Sequence, residues 1–124
     1  MPRILVVDDD ATIRKLLRFV LENEGYEVIE AADGVEGFQR YQADPTDLVI
    51  TDLQMPGMDG LELMMALRRV VPTPALIAIS GDRDALTQAK GLTPHTFTKP
   101  LPLEQVLEAV RSLDLRHRSS GETA

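Results

Sequence analysis

Asp8 and Asp9 follow the apolar run Ile4–Val7, Asp52 follows Leu48–Thr51, Ser80 follows Ala75–Ile79, and Lys99 follows the shorter Thr96–Thr98. Each run has the length of a buried strand, and each leads into a group that ionises or hydrogen-bonds. If the runs are parallel strands of one sheet, the carboxylates, the hydroxyl and the lysine meet along one edge of it. Unit charges about 4 Å apart interact by roughly 4 kcal/mol at an effective dielectric of about 20, so ionised carboxylates sharing one pocket repel strongly. Lys99 offsets one of those charges, and a divalent cation can balance the rest. Oxygen donors favour Mg2+, which keeps several of its waters and takes one or two carboxylates. A lysine and a hydroxyl suit the oxygens of a phosphoryl group.

Taken singly, each residue has a plainer role. Asp8 and Asp9 can cap a helix and complement its dipole, with Asp10 as a capping or first-turn acid. Asp52 can open an Asx-turn. Ser80 can be a strand-end hydroxyl, although Gly81 beside it permits close approach of a ligand to the backbone. Lys99 before Pro100 can be a surface lysine ahead of a turn. Their joint placement, rather than any one of them, points to a site. His95 lies in a Pro-containing loop and His117 in the polar C-terminal stretch, and neither reads as a ligand. Met55, Met58, Met64 and Met65 read as packing rather than a cofactor site.

The elements that position these groups are legible from periodicity. Ile13, Leu16, Leu17, Val20 and Leu21 follow the spacing of one helix face, capped by Asp9 or Asp10 and ended by Gly25. Tyr26–Ala31 reads as a strand, Asp33-Gly34 as a turn, and Val35, Phe38 and Tyr41 as a short helix before Pro45. Gln54–Gly60 reads as a loop, because its Pro and Gly residues disfavour regular structure. Leu61, Met64, Met65 and Arg68 begin a further helix bounded by Pro72 and Pro74. Asp84–Lys90 is a weak, short helix closed by Gly91. Leu103, Val106, Leu107 and Val110 repeat the helical spacing, and Ser119–Ala124 is a polar tail. Strands alternating with helices imply a parallel sheet covered on both faces, with ligands beyond the carboxyl ends of the strands.

Composition sets outer bounds. A chain of 124 residues is one domain, long enough to bury a core, and 44% of it is apolar. Cys is absent, which excludes disulfides and thiolate metal sites. No apolar run approaches the roughly 18 residues of a membrane span, and no signal-peptide pattern follows Met1-Pro2-Arg3. The expected location is therefore cytoplasmic, without membrane association. The net charge of −7 argues against nucleic-acid binding, and the short Arg116-His117-Arg118 cluster does not reverse that.

Four motifs, in order, carry a resemblance: ILVVDDD at Ile4–Asp10, VITDLQMPGMDGLEL at Val49–Leu63, IAISG at Ile77–Gly81 and TKP at Thr98–Pro100. From about Arg3 to Leu113 the chain resembles the CheY-like receiver domain of two-component response regulators. The resemblance implies a flavodoxin-like, doubly wound five-stranded sheet of order 2-1-3-4-5 with five helices. It implies a receiver unit, placed over residues 1–115, and the polar composition of 116–124 makes that stretch an expected disordered tail. The resemblance makes Asp52 the phosphoacceptor, taking a phosphoryl group from a phosphohistidine of a histidine kinase or histidine phosphotransfer domain. By the same resemblance, Mg2+ (or Mn2+) would be bound by Asp9 directly, by Asp8 through water, and by Asp52 and the backbone carbonyl of Gln54. The resemblance likewise makes Ser80 and Lys99 the residues that would bind the phosphoryl group. Such a protein assists its own phosphorylation and dephosphorylation without being an enzyme in the usual sense. Its message is expected to reach a target protein, or a further relay member, by protein contact.

Two departures from the family pattern bear on output. Thr96 stands where many members carry an aromatic switch residue, and Phe97 follows at a position where alternation points inward. The stretch from Ser80 to Lys99 is a few residues short, so the helix within it is expected to be short or distorted. Gln54 and Asp82 occupy the positions that influence phosphoryl lifetime in the family.

Two other readings belong to different classes. Asp8, Asp10 and Thr12 fit the D-x-D-x-T pattern of haloacid-dehalogenase-like phosphatases, with Asp8 as nucleophile and Asp10 as general acid. The chain is short for that fold, and no adjacent acidic pair follows Lys99. A calcium loop of EF-hand type fails because Ile13 stands where its sharp turn needs Gly. The last alternative is a receiver-like binding module that works without phosphate.

Overall fold

The structure, a computed structural model of the chain, describes residues 2–115. The polar stretch from residue 116, expected to be disordered, lies outside those residues. Five strands alternate with five helices: β1 (Arg3–Val7), α1 (Ala11–Asn23), β2 (Glu27–Ala31), α2 (Gly34–Ala43), β3 (Leu48–Asp52), α3 (Gly60–Leu67), β4 (Ala75–Ser80), α4 (Arg83–Ala89), β5 (Thr96–Thr98) and α5 (Leu103–Ser112). All strand pairs are parallel, in the order β2-β1-β3-β4-β5. This is the doubly wound, flavodoxin-like arrangement, with its strand order reversing beside β1.

The central strands β1, β3 and β4 are apolar except at Arg3, Thr51, Asp52 and Ser80, because both of their faces are covered. On one face Leu5, Val7, Val49, Leu76 and Ala78 pack with Tyr41, Leu63, Met64, Leu67, Leu86 and Ala89 from α2, α3 and α4. On the other, Ile4, Val6, Leu48, Ile50, Ile77 and Ile79 pack with Leu17, Leu21, Val106 and Val110 from α1 and α5. Odd and even residues of β1 thus feed separate layers, as a period of two requires. No helix among the described residues is long and apolar enough to cross a membrane.

Several boundaries differ from the sequence-based expectation, each for a local reason. Tyr26 is not in β2; its N–H donates to Leu21 O and completes the end of α1, where Gly25 takes a φ of 91°. Asp33 does not form a turn with Gly34. Its carboxylate caps α2 by accepting from Glu36 N, and Gly34 is already helical. The loop expected over Gln54–Gly60 ends earlier, because Asp59 and Glu62 form a reciprocal capping box and Gly60 opens α3. α4 is short, as expected, but begins at Arg83 because Asp82 caps it. β3 and β4 each run one residue further, so Asp52 and Ser80 are themselves ladder residues, Asp52 opposite Ile79 and Ser80 opposite Thr98.

Gly60 links the fold to the strand end that matters most. A Cβ there would lie 2.1 Å from Asp52 O and 2.7 Å from Leu53 Cα. Gly60 N also donates to Leu53 O at 3.2 Å. The start of α3 therefore lies on the backbone that carries Asp52, an approach closed to any side chain. Gly60→Ala should destabilise the chain by about 1–3 kcal/mol, the range for overpacking a close contact. Urea denaturation measures this, and unchanged stability would show that the contact is not tight.

Candidate functional site

Every strand end that the sequence marks as polar arrives at the same edge of the sheet. Asp8 follows β1, Asp52 ends β3, Ser80 ends β4 and Lys99 follows β5. The carboxylate oxygens of Asp8, Asp9 and Asp52 lie within 4.8 Å of one another. Lys99 Nζ bridges two of them, 3.3 Å from Asp8 Oδ2 and 3.4 Å from Asp52 Oδ2. Asp8 and Asp52 are 2% and 5% exposed, and Ser80 is fully buried, whereas Asp9 is open to solvent.

The main chain holds the two buried acids differently. Asp8 Oδ1 accepts from Asp10 N at 2.9 Å, and its Oδ2 takes Lys99, so both oxygens are engaged. Asp52 Oδ1 accepts from Gln54 N at a longer 3.3 Å. The Lys99 main chain is fixed by its N–H donating to Ser80 O at 2.9 Å. Ser80 Oγ accepts from Asp82 N at 3.0 Å, a turn that closes β4 into α4. Gln54 Nε2 donates to Asp82 Oδ2 at 3.3 Å, joining the loop after β3 to the cap of α4.

Electrostatics follow from crowding like charges in partial burial. Burial pushes the Asp8 carboxyl above the usual aspartate range, with the hydrogen bond from Asp10 N opposing and the charge of Asp52 adding to the rise. Burial likewise raises Asp52, and Lys99 only partly offsets it. Burial disfavours the Lys99 ammonium, but Asp8 and Asp52 more than compensate and raise it.

The donor set fits a hard divalent cation. Clustered carboxylate oxygens face a single lysine in a half-buried pocket, with no sulfur or imidazole among them. The site lies at the sheet edge formed by the carboxyl ends of the strands. Thr96 instead lines a groove with Arg83, Leu86, Thr87, Lys90 and Thr98 on the α4–β5 face. Phe97 packs partly buried against the layer formed by α1 and α5, as its inward alternation predicts.

The D-x-D-x-T run of the phosphatase alternative has a structural role here. Asp10 is the N-cap of α1, its Oδ1 accepting from Thr12 N at 2.9 Å, so that D-x-D-x-T run is a helix start. Sequence reasoning missed Arg14, whose Nη1 donates to Asp8 O at 2.7 Å, and the tie between Gln54 and Asp82. The long reach of an arginine leaves no local sequence signal.

The profile of the response regulator receiver domain matches residues 4–111. Sporulation initiation phosphotransferase F of Bacillus subtilis (strain 168) is 33% identical over 112 residues, which cover 88% of this chain and 90% of that one. Transcriptional regulatory protein ResD of the same organism is 36% identical over 114 residues, covering 90% of this chain and 47% of ResD, so this chain spans about half of that relative's length. Among solved structures, response regulator protein TrrA of Thermotoga maritima, in complex with Mg(2+)-BeF, is similar with a TM-score of 0.83 and 32% identity, covering 91% of this chain and 99% of TrrA.

A carboxyl whose folded pKa lies above its unfolded value binds its proton more tightly when folded. Stability therefore falls as pH rises from the ordinary aspartate value through the raised one. Metal-free protein should accordingly lose stability over that window as Asp8 and Asp52 ionise. In EDTA at neutral pH, Asp52→Asn should be more stable than wild type by about 0.5–2 kcal/mol, the usual gain from relieving a strained site. The gap should close as pH falls toward the ordinary carboxylate range. Urea denaturation across pH measures both, and a less stable Asn variant at neutral pH would refute the charge-crowding account.

Proposed function

The chain belongs to the response regulator receiver domain family, and on that footing we propose that it is a signalling phosphoacceptor whose Asp52 takes a phosphoryl group from the phosphohistidine of a kinase or phosphotransfer domain. The observation that carries this is the unequal hold on the two buried acids around Lys99. Asp8 is engaged at both oxygens, one of them at 2.9 Å from a main-chain N–H, whereas the contacts of Asp52 are 3.3 Å and 3.4 Å. Both oxygens of Asp52 are also engaged, but its main-chain bond is the longer one, so it is the more loosely held of the two carboxylates, on a strand end that α3 approaches closely through Gly60.

In this reading one oxygen of Asp52 bonds to phosphorus as the P–N bond to the donor histidine breaks. Asp9, with Asp8 behind it, Asp52 and the Gln54 carbonyl are the groups that would hold Mg2+ (or Mn2+). When bound, that ion supplies countercharge for the phosphoryl oxygens. Lys99 stays in place as the fixed cation, and the Ser80 hydroxyl is the neutral partner on the neighbouring strand. The site mainly positions and neutralises, since the donor carries the reactive bond. The bond between Gln54 and Asp82 supports a role for this pair in governing access of water to the acyl phosphate. Residues 1–115 act as one receiver unit, and the signal leaves by contact with a downstream protein rather than with nucleic acid or membrane. The gain of charge and acceptor oxygens at Asp52 biases two arrangements of the surface around α4, with Thr96 and Phe97 as the residues that set how β5 responds.

Acetyl phosphate with Mg2+ should add one phosphoryl group to the intact chain, detected by mass spectrometry. EDTA or Asp52→Asn should abolish the addition. Equal labelling of the Asn variant would overturn the assignment. Failure to bind either Mg2+ or beryllofluoride would favour a module that works without phosphate.

A further inference from the structure

Arg14 reaches from the first turns of α1 to the outer side of the acidic pocket without touching any of its carboxylates among the bonds seen. Nη1 donates to the main-chain carbonyl of Asp8 at 2.7 Å, and Nε donates to Glu30 Oε1 at 3.2 Å. The other Glu30 oxygen takes Arg18 Nη1 at 2.9 Å. The Arg14 and Glu30 side chains are each 16% exposed, whereas Arg18 is 46% exposed. Glu30 is itself fixed, lying on β2 in register with Val6 of β1. Hydrogen bonds from Arg18 and then from Arg14 hold its carboxylate below the ordinary glutamate range despite partial burial.

The point of attachment is informative. Asp8 is the first residue beyond β1, and its N–H still donates to Ala31 O at 3.1 Å. Its carbonyl belongs to the peptide that leads into Asp9. With the N–H tied to Ala31, the carbonyl tied to Arg14 and Oδ1 tied to Asp10 N, the backbone between the two acids has little rotational freedom. An arginine fork is suited to this, because it spans two acceptors with one planar group.

We propose that Arg14 is a positioning residue for the acidic pocket: by bridging the Asp8 carbonyl to Glu30 it fixes the Asp8–Asp9 peptide, and so aims both carboxylates at a divalent cation. This rests on the reading of Asp8, Asp9 and Asp52 as a Mg2+ site. Positioning and simple electrostatics make opposite predictions for its removal. Arg14 is a cation beside a cation site, so Coulomb repulsion alone would have its loss tighten Mg2+ binding. Loss of a residue that orients ligands loosens binding instead, by about 10–100-fold where outer-shell partners of metal ligands are removed.

The test uses the full chain, Mg2+ alone as the probe, and calorimetric titration, with melting temperature in EDTA measured alongside. Arg14→Met should bind Mg2+ about tenfold more weakly than wild type. Arg18→Met, which removes the same charge from the same cluster without touching Asp8, should stay within about twofold of wild type, as expected for an exposed ion pair. Arg14→Lys keeps the charge and one donor but not the fork, and should fall between. Unchanged or tighter binding in Arg14→Met overturns the proposal, as does an equal loss in Arg18→Met. Should Arg14→Met fail to fold, Arg14→Lys decides by the same sign, weaker binding supporting the proposal and equal or tighter binding overturning it. Wild-type protein that binds no Mg2+ sinks the site reading and this inference with it, whereas normal wild-type binding with an indifferent Arg14→Met sinks this inference alone.

Discussion

Carboxylates outnumber cations in a pocket that is half out of water, and the remainder of the molecule exists to hold them there. Asp8, Asp9 and Asp52 converge to within 4.8 Å while Lys99 serves only two of them at ion-pair distance. Left to itself such a cluster would splay, since each group lowers its energy by moving into solvent. It stays because Asp52 is an integral residue of β3, opposite Ile79, and Asp8 follows directly on a strand whose apolar residues are fully buried. The repulsion is thereby converted into affinity for positive charge. Burial cuts both ways here, as it raises the cost of ionising Asp8 and Asp52 and also strengthens any countercharge that arrives.

The parallel sheet supplies that rigidity at small cost in sequence. Short runs of three to five residues, the central ones buried on both faces, bring the residues that end or follow them to one edge by topology alone. The helices contribute through their starts. Asp10, Asp33, Asp59 and Asp82 each cap the helix that follows and so fix the loop leading out of the edge. Seen this way, the acidic balance of the chain is partly structural. Several aspartates near the site serve as helix caps and stand outside the acidic cluster, Asp10 being the clearest case. Gly60 completes the frame by letting α3 rest on the Asp52 backbone.

What was legible in the sequence follows the same division. Strands β1, β3 and β4 could be read because burial on both faces demands uninterrupted apolar runs, and their order of alternation with helices carried the weak β5 along. The five site groups could be read because strand ends are a topological position, independent of side-chain detail. Boundaries were lost where one residue type signals two structures. Asp33-Gly34 and Asp59-Gly60 look like turns, yet each is an N-cap followed by a helical glycine in close contact with neighbouring backbone. Arg14 could not be found, because its partners Asp8 and Glu30 are brought to it only by the pairing of β1 with β2. The Gln54–Asp82 tie is of the same kind, a contact across two loops with no local pattern.

That tie bears on how a charge change at Asp52 can leave the pocket. Ser80 is fully buried, and its hydroxyl oxygen already serves Asp82 N. Asp82 in turn caps α4 through Asp84 N and accepts from Gln54. Any group on Asp52 that draws the Ser80 hydroxyl toward itself takes it from Asp82, and thereby disturbs the cap of a helix only seven residues long. So short a helix has little cooperativity of its own and depends on its cap and on Leu86 and Ala89 packing against the core. Phe97, the one aromatic residue of β5, packs partly buried against the opposite layer. On the proposed phosphoacceptor reading, the route out of the pocket is backbone and cap, from Ser80 through Asp82 into α4, toward the groove lined by Arg83, Lys90 and Thr96.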